Sequence, residues 1–291
     1  MPSTNPRTSR RALTALASAA ALAAAWAGMG ATPAHAANGV PTPDHVVVVM
    51  LENHGYDQVI GSSNAPYINS LVSGGANLTD MHAETHPSQP NYYALFSGDT
   101  QGITDDSCVD PGSISADNLG SELIAAGKSW ASYNESLPSQ GDTVCRSGEY
   151  AQKHNPWFGF GNVPTSTAYT FDQFPTDYTQ LPRVSFVVPN LCDDMHDCDV
   201  QTGDTWLQNN LGAYASWAQT HNSVLAITFD EDEGTDTNNI PTVLYGQPVS
   251  PGSTSSTTYS HYDLLRTIED MEGLPYAGNA SSATDITGIW Q

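Results

Sequence analysis

His45-Val46-Val47-Val48-Val49-Met50-Leu51 runs without a break into Glu52-Asn53-His54. The run is apolar and mostly β-branched, too short for a surface helix and free of polar alternation, so it reads as a strand covered on both faces. Val184-Ser185-Phe186-Val187-Val188 and Ser223-Val224-Leu225-Ala226-Ile227-Thr228-Phe229 read the same way, with weaker runs at 130–133 and 240–245. Between them, segments 66–72, 92–96, 118–126, 205–220 and 261–272 are expected to be helical, the last two through the 3–4 spacing of Trp206/Leu207/Leu211/Tyr214 and Leu264/Leu265/Ile268/Met271. Strands alternating with helices predict an α/β fold whose mostly parallel sheet has the first run near its centre, with function gathered at the carboxyl ends of the strands. Stretches 100–115, 136–176 and 232–239 are rich in Gly, Ser, Asn, Asp and Pro and are expected to be long loops.

Outward from that core, charge excludes whole classes of partner. Among 291 residues, 8 Lys and Arg face 31 Asp and Glu, a formal charge of −23, which repels nucleic-acid backbones and anionic bilayers. Six Trp, thirteen Tyr and seven Phe set the chain apart from disordered acidic proteins. Residues 1–36 join Arg7, Arg10 and Arg11 to an Ala/Leu-rich stretch and Ala34-His35-Ala36, the pattern of a secretory signal, twin-arginine in flavour, that would leave 37–291 as one secreted catalytic domain. No second long apolar run is present, so stable membrane insertion is not expected. Past residue 36 the basic side chains are Lys128, Arg146, Lys153, Arg183 and Arg266 alone. A site for an anion would therefore need a metal, helix N-termini or His. Export favours disulfides; of the three possible connectivities, Cys108 with Cys145 and Cys192 with Cys198 is preferred, against a zinc site using Cys192, His196 and Cys198.

Two strand ends carry the candidate chemistry. Glu52 and Asn53 follow the first strand, and Asp230-Glu231-Asp232-Glu233-Gly234 follow the third long one, which reads either as hard oxygen donors converging from separate strands on a divalent cation or as a solvated acidic loop. Ser88, in His86-Pro87-Ser88-Gln89-Pro90-Asn91, stands where a helix begins, either as an ordinary cap or in a positive field that favours an alkoxide and a phosphate. His196 lies between Cys192 and Cys198, and His261 opens the last helix; each is a candidate for proton transfer. His-Glu-x-x-His and Gly-x-Ser-x-Gly are both absent, which leaves zinc-protease and serine-esterase readings unsupported.

Taken together these segments resemble the phosphoesterase family of secreted acid phosphatases and phospholipases C, within the alkaline phosphatase superfamily. The resemblance is carried in order by Glu52-Asn53-His54-Gly55-Tyr56-Asp57, His86-Pro87-Ser88-Gln89-Pro90-Asn91-Tyr92, Pro189-Asn190 with Asp194-Met195-His196-Asp197, Thr228-Phe229-Asp230-Glu231-Asp232-Glu233-Gly234, and Ser260-His261-Tyr262-Asp263. It implies a three-layer α/β/α sandwich and a phosphoryl nucleophile at Ser88. It also implies one divalent cation, of unassigned identity, held by Glu52, Asn53, Asp230 and Glu231 with Ser88 touching it, Asp232 being a competitor for the place of Glu231. His196 and His261 would assist the leaving group or the phosphoryl oxygens, and Asn91 and His86 would bind substrate. The expected activity is a metal-dependent phosphomonoesterase acting on a small phosphate ester through a phosphoserine. The alternatives are a phospholipase C and a catalytically silent extracellular cation-binding protein.

Overall fold

The computed structural model describes residues 1–4 and 39–291, so the secretory-signal reading lies outside the described residues. Contacts divide the chain into Met1–Thr32 and Pro33–Gln291, and everything below concerns the second unit. Its strands in chain order are β1 (His45–Leu51), β2 (Ala76–Leu78), β3 (Met81–His82), β4 (Trp130–Asn134), β5 (Arg146–Ser147), β6 (Tyr150–Ala151), β7 (Ala168–Thr170), β8 (Val184–Val188), β9 (Ser223–Phe229), β10 (Thr242–Gly246), β11 (Ser253–Ser255) and β12 (Tyr259–Ser260). Eight of them form one sheet in the order β11-β2-β10-β9-β1-β8-β4-β7, while β12 with β3 and β5 with β6 form two small ladders. Within the large sheet β10 alone runs against its neighbours β9 and β2.

Helices cover both faces. On one side α2 (Pro66–Gly74) packs on α5 (Val200–Ala218) and on β10; on the other α3 (Ser88–Ser97), α4 (Leu119–Ala125) and α6 (His261–Glu272) pack together, after the short α1 (Tyr56–Val59). This is the three-layer sandwich expected, and it explains the first run of sequence: every residue from Val46 to Leu51 is buried because each face of β1 meets a helical layer. Local signals end the helices as well as start them. Asn118, Asp199 and Ser260 accept first-turn N–H groups of α4, α5 and α6, and Gly273 leaves α6 in the left-handed region.

The sequence reading misses short pieces. Segment 136–176 is not a single loop: it holds β5, β6, β7 and several 3-10 turns, too brief to show periodicity. Cys108 is bonded to Cys145 and Cys192 to Cys198. The second bond overturns the zinc alternative, because disulfide sulfurs are not thiolate ligands.

Candidate active site

Register builds the centre of the site. β1 and β9 pair in parallel with Leu51 opposite Phe229, so Glu52 and Asp230 leave the sheet side by side. The Asp230 N–H donates to the Leu51 carbonyl at 2.9 Å, and the Asn53 N–H to Asp230 Oδ1 at 3.0 Å. Asn53 can turn back in this way because it sits in the left-handed region (φ 55°), which Asn tolerates. Above the pair stands α3, buried along its whole length. Its cap is Pro87 and its first residue is Ser88, so Ser88 does not cap the helix, contrary to the simpler reading of the sequence. Its hydroxyl lies 3.0 Å from Glu52 Oε2 and 3.0 Å from Glu231 Oε1. A serine has one hydroxyl proton, so it can satisfy only one of two carboxylates.

The remaining charge is poorly compensated. Glu52 and Asp230 are fully buried and Glu231 nearly so. Burial first, then Asp230 and Asp194, pushes Glu52 far above the ordinary carboxylate range; burial and the charge of Glu231 push Asp230 up to about 7. Asp230 Oδ2 is buried with no hydrogen-bond partner. Converging oxygen donors, mutual repulsion and an orphaned carboxylate oxygen fit a hard divalent cation. The donors are not drawn into a closed cage: among the described residues no three His, Cys, Asp or Glu side chains are spaced to hold an ion as they stand. Asp232 is spent elsewhere, since its carboxylate accepts from the Gly234 and Thr235 N–H groups and from the Thr235 hydroxyl.

Beside this centre lies a set of groups of which Tyr92 and Asp194 stand in the quoted motifs without an assigned role and His154 stands in none. Tyr92 donates to Glu52 Oε1 at 2.6 Å and its ring stacks on His154. His154 is buried between two carboxylates, with Nε2 3.0 Å from Glu52 Oε1 and Nδ1 3.1 Å from Asp194 Oδ2. Burial, then Lys153 and His196, drives the imidazole pKa far down, while burial drives the two acids up. His154 Nε2 and Asp194 Oδ2 have no hydrogen-bond partner, so these are close approaches of buried polar groups rather than hydrogen bonds. The loop closed by Cys192 and Cys198 brings Asp194 here, its carbonyl accepting the Glu52 N–H at 2.9 Å. Gly203 in α5 makes room for that loop, because a Cβ there would lie 2.5 Å from the Met195 side chain.

The other residues expected from sequence are placed unequally. His86 contacts Glu231 through Nδ1 and the Thr235 carbonyl through Nε2 at 3.1 Å, at the half-open rim of the cluster. Asn91 is fully buried and spends its amide on the loop ahead of α3: Oδ1 accepts from the Glu84 and Thr85 N–H groups, and Nδ2 donates to the carbonyls of Thr85 and Pro87. His261 lies behind the cluster, its Nε2 2.9 Å from the carbonyl of Phe229, and burial holds it neutral with a pKa of about 4. His196 stands on the opposite side, Nδ1 on Asp197 Oδ1 at 2.6 Å and Nε2 on the Lys153 ammonium at 3.2 Å. Thus Glu52, Asp230, Glu231, Ser88 and His86 share one cluster, Asn53 joins it through its backbone, and Asn91, His196 and His261 touch it at one remove. A surface cleft of about 620 Å³, lined by Glu135, Leu137, Phe171 and Asp172 among others, lies away from it at the ends of β4 and β7.

The sequence model of the Phosphoesterase family matches residues 62–275. A phosphatidylinositol-3-phosphatase of Mycobacterium tuberculosis is 49% identical over 275 residues, covering 94% of this chain and 91% of its own length. An acid phosphatase of Aspergillus fumigatus is 31% identical over 264 residues, covering 83% of this chain but 57% of its own length. The chain thus spans nearly all of the mycobacterial relative and little more than half of the fungal one. An alkaline-phosphatase-superfamily protein from Vibrio parahaemolyticus superposes with a TM-score of 0.59 at 13% identity, over 82% of this chain and 68% of its own, a likeness of fold.

Proposed function

The chain belongs to the phosphoesterase family, hydrolases of phosphoric esters, and from that premise we propose that it is an exported, metal-dependent phosphomonoesterase with Ser88 as nucleophile. The observation that carries this reading is the Ser88 hydroxyl held 3.0 Å from Glu52 and from Glu231 at the first residue of a buried helix. A hydroxyl so placed has carboxylates to orient it and to take its proton, and a helix N-terminus to favour the anion that results. Glu52, Asp230, Glu231 and the Asn53 amide would hold the cation, which when bound lowers the pKa of coordinated oxygen and draws charge off the phosphoryl group. Ser88 then attacks phosphorus in line, the leaving oxygen takes a proton, and water later frees the phosphoserine. His86, on the rim against Glu231, is the described imidazole nearest the nucleophile's own carboxylate partner and is the candidate proton carrier. His196, held through Lys153, is the second.

Monoesters are favoured over phospholipid diesters because the mycobacterial and Aspergillus relatives are named as phosphatases. Export is supported by the two disulfides, which persist in oxidising compartments. The test is a substrate panel on purified protein: p-nitrophenyl phosphate, its choline ester and phosphatidylcholine, each with and without chelator. Fast, chelator-sensitive monoester hydrolysis is expected. Faster release of diacylglycerol than of phosphate would make the chain a phospholipase C, and tight metal binding without any hydrolysis would make it a silent cation binder.

A further inference from the structure

Beyond residue 36 the sequence carries five basic side chains, and the structure commits four of them away from Ser88. Lys128 and Arg183 both bind Glu272, Arg266 stacks on Tyr276 and contacts Asp285, and the exposed Arg146 lies 3.9 Å from Asp197. Lys153 remains. Its ammonium donates to Asp106 Oδ2 at 2.9 Å and to His196 Nε2 at 3.2 Å, leaving one of its three N–H donors. Because an ammonium can only donate, His196 Nε2 is the acceptor in that contact, and Nδ1 faces Asp197 Oδ1. Burial works against the charge on Lys153, but Glu52, Asp106 and Asp230 outweigh it and hold its pKa above the ordinary lysine value.

The lysine is also fixed to the nucleophile's helix. Asp106 Oδ1 accepts the N–H of Gln89, the residue after Ser88, so one carboxylate links the start of α3 to the Lys153 ammonium. The Cys108 to Cys145 bond ties the Asp106 loop to the segment before Lys153, where the Cys145 carbonyl accepts the Gln152 N–H at 2.9 Å. On the other side, the Cys192 to Cys198 bond closes the loop that presents His196. Each disulfide thus steadies one of the two groups that aim the ammonium.

We propose that Lys153 binds the phosphoryl group of the substrate through its remaining N–H and sets the preference for monoesters over diesters. The proposal rests on the phosphatase reading and adds to it a specificity-determining residue. A monoester near neutral pH carries roughly −1.5 to −2 charges, whereas a diester carries about −1, so the dianion gains more from a fixed cation and loses more among Glu52, Asp230 and Glu231 without it. Asp106 is the positioning residue, because it orients the lysine and touches no reacting atom.

Inorganic phosphate is the probe, its binding followed calorimetrically on the full chain in calcium and again in magnesium. Lys153→Met should weaken phosphate by about 10–100-fold, the factor for one charge-assisted hydrogen bond, and Lys153→Arg should recover part of it. The kcat/KM ratio of p-nitrophenyl phosphate to bis-p-nitrophenyl phosphate should fall by a similar factor in Lys153→Met. Ser88→Ala should still bind phosphate through Lys153. Unchanged phosphate affinity in Lys153→Met overturns the assignment, as does an equal loss on both esters accompanied by a lowered Tm, which would make Lys153 a structural counter-charge. If the wild type hydrolyses neither ester yet loses phosphate binding on Lys153→Met, the phosphatase reading fails while the assignment of Lys153 stands.

Discussion

Two buried acidic regions of this molecule solve the same problem differently. At the ends of β1 and β9, Glu52, Asp230 and Glu231 crowd around a serine, with one carboxylate oxygen left unpartnered. On the far side of α3, helix α6 buries Glu272 and Glu269. Glu272 is met by Lys128 at 2.9 Å and by the Arg183 fork at 3.0 and 2.9 Å. Glu269 accepts the Ala277 N–H and faces Glu122, carboxyl to carboxyl. There burial, with Glu122 adding and Ala277 and Arg266 opposing, lifts Glu269 to about 9, and burial with Asp117 lifts Glu122 to about 7. In the α6 region two cations meet Glu272, and burial with the nearby Glu122 holds Glu269 toward its neutral, protonated form. The strand-end region meets its three acids with the Lys153 ammonium nearby and His86 on Glu231, and leaves Asp230 Oδ2 unpartnered, which suits a site that must receive a cation and an ester.

The largest effect expected from that contrast is on Ser88. Ser88→Ala should cut turnover by ~10³-fold or more, since the covalent step disappears, while the fold persists because Ser88 caps nothing. Phosphate release is the measurement, and mass spectrometry of a quenched wild-type reaction should find phosphate on Ser88. Wild-type turnover in a folded Ser88→Ala protein would remove the nucleophile.

Asp230→Asn should come next, with activity down on the order of 10²-fold and the metal-induced rise in Tm abolished, yet with metal-free Tm unchanged or raised because a repelling charge is gone. Asp236→Asn, in the exposed loop beyond, should do none of this. Thermal melts with and without chelator distinguish the two. If Asp230→Asn lowers metal-free Tm, the strand-end acids are structural and the contrast between regions breaks.

Glu272→Ala is the mirror experiment. It strands two cations against a buried surface and should lower stability by about 3 kcal/mol, read from denaturant unfolding, with activity per folded molecule unchanged. A loss of activity without a loss of stability would place Glu272 in the wrong region.

The smallest effect is on pH dependence. Glu269 and Glu122 have folded pKa values above their unfolded ones, so their contribution is fully present below about pH 4 and is lost as pH rises through about 7 and 9. For Glu269 alone, at ~1.4 kcal/mol for each of about 4 pH units and halved because the effective dielectric softens the shift, the fall in unfolding free energy should be on the order of 3 kcal/mol from about pH 5 to about pH 9. Glu269→Gln should flatten that slope, and an unchanged slope would show that Glu269 does not hold its proton in the fold.

The sequence by itself determined the layered α/β fold, the central place of β1, the five main strands and helices, both disulfides, and the candidates Glu52, Ser88, Asp230 and Glu231. The elements and the acids were legible from local signals, an apolar run or a carboxylate directly after a strand, the disulfides from pairing cysteines near in sequence, and Ser88 from the motif His86-Pro87-Ser88-Gln89-Pro90-Asn91. Only the tertiary structure decided that Asn91 ties down a loop, that His261 lies behind Asp230, and that Lys153, His154, Tyr92, Asp106 and Asp194 stand beside the nucleophile. Those residues lie in loops without periodicity, or on a helix buried all round, and their partners are far away in sequence: Tyr92 is 40 residues from Glu52 and Lys153 is 47 from Asp106. Contacts at that separation are fixed by sheet order, register and disulfide closure, which no local pattern encodes.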